Sequence, residues 1–131
     1  MLKKTVTYID YNGVETTEDC YFNLNIAEVK ELQWGVKGGY VAMLQGIIDT
    51  NDGPAIMKTL KEFILKCYGK KSPDGKHFMK DEKISHEFYC SPAYAIIFDE
   101  ISSSDEAARA FINGVLPSAP TATAPSLAPA T

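Results

Sequence analysis

Four residues have side chains suited to a metal ion: Cys67, His77, His86 and Cys90. His86 and Cys90 are four apart, so one helix face can present both, as it would two zinc ligands. The pattern goes no further. No Cys-x-x-Cys or His-x-x-x-His pair accompanies them, and Cys67 falls on the main apolar stripe, where a thiol packs as a small hydrophobe. Nucleophilic catalysis needs a Ser or Cys activated by a base and an orienting acid. His77 and His86 are the only histidines, and no serine or cysteine stands in a recognisable elbow. The carboxylate pairs Glu18-Asp19, Asp99-Glu100 and Asp105-Glu106 read as strand-surface and helix-cap residues. Gly35-Val36-Lys37-Gly38-Gly39 has the residue types of a phosphate loop but follows a helical pattern and lacks the spacing. These residues argue against an enzyme and against any metal or cofactor, and leave a binding or structural role. Trp34, beside the glycine-rich break, is the candidate aromatic anchor for a partner, with ordinary core packing as its alternative. Tyr40 and the hairpin tyrosines Tyr8, Tyr11 and Tyr21 are the other candidate partner-binding residues.

The longest periodic stretch runs from Pro54 to Tyr68. Ile56, Leu60, Phe63, Ile64 and Cys67 recur at three-and-four spacing on one side of a helix. Met57 and Tyr68 widen that side, while Lys58, Glu62 and Lys66 fall four apart on the opposite one. Asn51 or Asp52 suits the cap, Pro54 the first turn and Gly69 the stop. This is the expected central core helix. Before it, Lys3–Tyr11 and Val14–Phe22 flank Asn12-Gly13, a strong signal for a two-residue hairpin turn. That turn pairs Tyr11 with Val14, Ile9 with Thr16, Thr5 with Cys20 and Lys3 with Phe22, leaving Val6, Tyr8 and Tyr21 on the other face. Neither face is cleanly polar, so the hairpin must pack on the helices, on another copy or on a client. Its edges offer sites for strand addition.

Asn25 with Glu28 forms a variant capping box for a helix whose apolar side is Ile26, Val29 and Leu32, with Trp34 open between that side and the surface. A second short helix runs from Tyr40 to about Thr50 and buries Val41, Leu44, Ile47 and Ile48. Pro73-Asp74-Gly75 is a turn. Further helices are expected from Lys80 to Phe88 or Tyr89, from Pro92 to Ile101 and, capped by Ser104, from Asp105 to Leu116. The fold expected is mainly α: an N-terminal β-hairpin over residues 3–22, then a bundle of about five or six short helices. Together they make a single domain of residues 1–116. From Pro117 the chain turns to Pro, Ala, Ser and Thr without a charge or an aromatic, which predicts a flexible, disordered tail over 117–131.

Hydrophobic residues make up 45% and charged residues 23% of the 131-residue chain, enough to bury a core. No apolar run approaches the roughly 18 residues that span a bilayer, so no membrane association is expected. Three unpaired cysteines and a strand-like start in place of a signal peptide point to a soluble cytoplasmic protein. The net charge of −4 conceals a lysine block, Lys58 to Lys83, with eight lysines against four carboxylates and acidic segments on both sides. Such blocks can steer a charged partner or another copy of the chain, or form a solvated helix face. The lysines lack interleaved arginines and stacking aromatics apart from Phe78, which makes nucleic acid a poor partner.

The hairpin from Lys3-Lys4-Thr5-Val6-Thr7-Tyr8 through Asp10-Tyr11-Asn12-Gly13-Val14 to Tyr21-Phe22-Asn23-Leu24 resembles the opening of small tail assembly chaperones of long, non-contractile-tailed phages and prophages. The resemblance continues at Ile64-Leu65-Lys66-Cys67-Tyr68-Gly69, at Ser72-Pro73-Asp74-Gly75-Lys76 with Phe78, and at Phe111-Ile112-Asn113-Gly114. It implies a non-enzymatic helical protein that binds the tape measure protein, keeps that client soluble and recruits tail tube subunits. It also implies a place in the cytoplasm of the bacterial host and absence from the mature virion. The Pro/Ala/Thr-rich ending fits the shorter of the two products such genes often make. Apolar surface and a docking groove serve that role, with the charge blocks supporting self-association around the client. The alternatives are a permanent structural or completion protein of the phage tail and, on the lysine block alone, a nucleic-acid-binding regulator.

Overall fold

The structure, a computed structural model, describes residues 1–117; beyond Pro117, the expected tail lies outside the described residues. Four strands and six helices follow in the order β1 (Leu2–Ile9), β2 (Glu15–Phe22), α1 (Ile26–Trp34), α2 (Tyr40–Asp49), α3 (Gly53–Cys67), β3 (Tyr68–Lys71), β4 (Phe78–Met79), α4 (Glu82–Tyr89), α5 (Pro92–Ile101) and α6 (Asp105–Val115). The chain is mainly helical, as expected, but the hairpin is half of a larger element: an antiparallel sheet in the order β1-β2-β3-β4.

The hairpin register is one residue away from the expected one. Leu2 pairs with Phe22, Lys4 with Cys20, Val6 with Glu18 and Ile9 with Glu15. The cause is Asp10. Its Oδ1 accepts hydrogen bonds from the amides of Asn12 and Val14 at 2.8 and 2.9 Å, while its own amide donates to Val14 O and its carbonyl accepts from Gly13 N. The loop therefore holds three residues, Tyr11-Asn12-Gly13, and only Gly13 takes positive φ, at 79°. A slip of one exchanges faces. Val6, Cys20 and Phe22 point together into the core, while Lys3, Thr5, Thr7, Thr17 and Asp19 line an exposed outer face. On that face Thr5 donates to Asp19 and Thr7 bonds Thr17. Tyr21 sits there too, opposite to Val6 and Tyr8, with the Lys71 ammonium 4.3 Å from its ring centroid.

Gly69 does not stop α3 by taking positive φ. The chain continues straight into β3, which pairs Tyr68 with Phe22 and Gly69 with Tyr21. Glycine is required there by crowding: an added Cβ would stand 2.6 Å from the Phe78 ring and 2.8 Å from the Met79 carbonyl. The Pro73-Asp74-Gly75 turn joins β3 to β4, with Gly75 at φ 75° and the Ser72 hydroxyl donating to Asp74 Oδ1.

One connected core fills the space between sheet and helices. Phe22 is its hub, with its ring edge-on to those of Tyr68, Phe88 and Phe111 at 5.7, 5.8 and 5.2 Å. Tyr68 and Phe88 stack at 3.9 Å. The central helix α3 contributes Leu60, Phe63, Ile64 and Cys67, and α5 and α6 close over β1. Side-chain caps start most helices: Asp52, Asp81, Ser91 and Ser104 accept from the third amide beyond them, and Asn25 and Glu28 complete the capping box of α1.

Candidate protein-docking surface

Helix α1 is the least buried helix. None of its nine residues is buried: Val29 and Leu32 are half-buried, and Ile26 and Trp34 are 59% and 89% exposed. The expectation that Ile26 lies on the packed side is corrected here, since the capping box turns it outward; of the two readings of Trp34, core packing is the one that fails, because α1 ends with Trp34 past the core. Gly35 closes α1 through its amide to Glu31 and Leu32 carbonyls. Gly38 and Gly39, at φ 84° and 96°, reverse the chain. The Gln33 side-chain Oε1 then accepts from Val41 N, tying α1 to the start of α2. Trp34 therefore projects from a braced corner, beside a concavity of about 300 Å³ lined by Gln33, Val36, Gly38 and Gly39.

Tyr40 lies just past that corner, but its ring is turned in, 8% exposed and 6.2 Å from Phe63. It forms part of the floor of an α2–α3 groove of about 500 Å³, together with half-buried Met43 and Ile47. Lys58, Glu62 and Lys66 make the α3 wall. Lys66 also borders a smaller concavity, about 190 Å³, against Leu24, Glu28, Glu31 and Leu32. Val41 and Ile47, expected inside, are half-buried. On the other flank of α3, Lys61, Leu65, His86 and Tyr89 line a further hollow of about 510 Å³, with the Lys61 ammonium 4.5 Å from the Tyr89 ring centroid.

The hairpin tyrosines do not form one patch. Tyr8 faces inward and its hydroxyl donates to Glu18 at 2.7 Å, a bond that with burial raises its pKa to about 12. Tyr21 is on the outer face. Tyr11 stands at the tip, 85% exposed, beside exposed Ile9 and Val14. Met43, Ile47, Lys58 and Lys66 were not foreseen as a site; the four-residue spacing of the α3 lysines was visible, but which helix lay beside them was not.

The metal-like residues stay apart. Cys67 is in the core, where burial pushes its thiol up. His77 is in the β3–β4 loop, and only His86 Nε2 and Cys90 Sγ meet, at 3.4 Å. Among the described residues no group of three or more His, Cys, Asp or Glu could hold a metal ion. No described helix is long and apolar enough to cross a membrane.

A model of the family described as phage tail assembly chaperone matches residues 1–125. The chain belongs to that family. The match takes in both strands of the hairpin, every helix and the whole α1–α2–α3 surface. No curated protein and no solved structure matches the chain.

Proposed function

We propose that this tail assembly chaperone is non-enzymatic, binds the tape measure protein of its phage, holds that client soluble and brings tail tube subunits to it. Family membership over residues 1–125 carries the reading. The surface fits it: an α1 that buries none of its residues, an exposed Trp34 and an α2–α3 groove floored by Tyr40, Met43 and Ile47 suit a protein that covers another chain's apolar surface. Such a chaperone works in the cytoplasm of the host and leaves before the virion matures. Mass spectrometry of gradient-purified virions, set against lysate from the same infection, tests this. The chain should be abundant in the lysate and absent from the particle. Stoichiometric presence in the particle would instead make it a permanent tail component.

A further inference from the structure

The α2–α3 groove has a length, a chemistry and a neighbour that together describe its occupant. From Ala55 to Lys66 its α3 wall spans eleven helical steps, about 16 Å or three turns of an opposing helix. Met43 and Ile47 on α2 are half-buried without filling it. Lys58, one turn in from Ala55, and Lys66 are exposed on the wall, with Glu62 between them.

We propose that this groove seats one amphipathic helix of the client, its apolar stripe on Met43 and Ile47 and its acidic flank against Lys58 and Lys66. The proposal rests on the reading of the protein as a chaperone of a helical client. An extended peptide would find no free backbone groups here, because both walls are helices whose amides and carbonyls are paired internally. A helix arrives with its own backbone bonds made, and its side-chain ridges fit the three-and-four spacing of the walls. Two lysines against one carboxylate select an acidic flank over a basic one, and Glu62 between them favours a client helix with one basic residue at mid-length. The shared Lys66 leads from this groove to the half-buried side of α1, so a client longer than three turns gains Leu32 as a further contact.

The test uses the full-length chain and overlapping synthetic peptides covering the tape measure protein of the same phage, with affinities from fluorescence anisotropy at about 50 and about 300 mM salt. Peptides with a three-and-four apolar stripe and an acidic flank should bind the wild type. K58E/K66E should weaken them by about tenfold or more and invert the salt dependence, because the wall then repels the acidic flank and salt screens that repulsion. Replacing the peptide's acidic flank by lysine should restore binding to K58E/K66E. Both positions are exposed, so the melting temperature should move by only about 2–4 °C, most of it from losing Lys66 at the α3 C-terminus. M43E should weaken the same peptides through the apolar floor. Equal binding by wild type, K58E/K66E and M43E would overturn the groove while leaving the chaperone reading intact. Sedimentation showing that K58E/K66E dissociates a dimer, with peptide binding unchanged, would give the groove to a second copy and overturn the proposal. Failure of the wild type to bind any peptide or the intact tape measure protein would overturn the chaperone reading and the proposal with it.

Discussion

Trp34 and Gly69 sit at opposite extremes of what one side chain costs. Trp34 is 89% exposed, so Trp34→Ala should change unfolding free energy by no more than about 0.5 kcal/mol. A buried anchor in a complex is worth about 2 kcal/mol or more, so the same substitution should weaken client binding some thirtyfold. Matched losses of binding and thermal stability would make Trp34 a structural residue. Gly69→Ala touches no client surface but forces a methyl group into the Phe78 ring and the Met79 carbonyl. It should cost about 1–3 kcal/mol in urea denaturation; a neutral result would mean that β4 can step aside. The exposure of Trp34 was legible because glycines follow a helix end there. Tyr40 read the same way, yet its ring packs beside Phe63. Composition marks an aromatic near a break without saying which way it turns.

At the scale of elements, the helices were the readable part. Asn25, Ser91 and Ser104 begin helices where their side chains suggest, because a cap bond is made within four residues and needs no partner elsewhere. The sheet was less readable. Asn12-Gly13 suits a two-residue turn, and the Asp10 carboxylate lengthened it by bonding two loop amides. The β3–β4 pair is four and two residues long, too short to show alternation, and it exists because Phe22 and Tyr21 offer an open edge to Tyr68 and Gly69. One long-range clamp ties these parts to α1: the Lys80 ammonium donates to Glu28 Oε2 at 2.6 Å and to the Asn23 carbonyl at 2.8 Å. Lys80→Met should cost about 1–3 kcal/mol, since it takes the Lys80 donor from Glu28 Oε2 and from the Asn23 carbonyl and leaves Glu28 only its capping bond. Hydrogen exchange should report the loss first in α1, which has no buried residue to hold it. Unchanged α1 protection would show that the helix is held by Val29 and Leu32 alone.

Taken whole, the molecule keeps several weak acids protonated by folding. The hydrogen bond to Glu18, with burial, raises Tyr8 to about 12, and burial raises Tyr40, Tyr68 and Cys20 to about 12 as well. Each folded-state pKa lies above its ordinary value of 10.0 for tyrosine or 9.0 for cysteine. The unfolded chain therefore loses these protons first as pH rises. Their contribution is complete below about pH 9 and is lost between about pH 9 and 12. Melting temperature followed by circular dichroism should be level from pH 7 to 9 and fall steadily above that. A flat profile to pH 12 would contradict the buried environment of these groups. The lysine block also takes on a place at this scale. Lys58 and Lys66 border the groove beside α2, and Lys80 clamps α1, so one run of like charges serves both surface and scaffold.

Whether this chain holds a tail client in solution is open to direct test. The measurement that tests it most directly is co-expression of the full-length chain with the tape measure protein of the same phage, followed by affinity purification from the soluble fraction. The tape measure protein should be more soluble with the chain than without it and should co-purify with it. A client that stays insoluble and unbound while the chain itself is folded and abundant would contradict it.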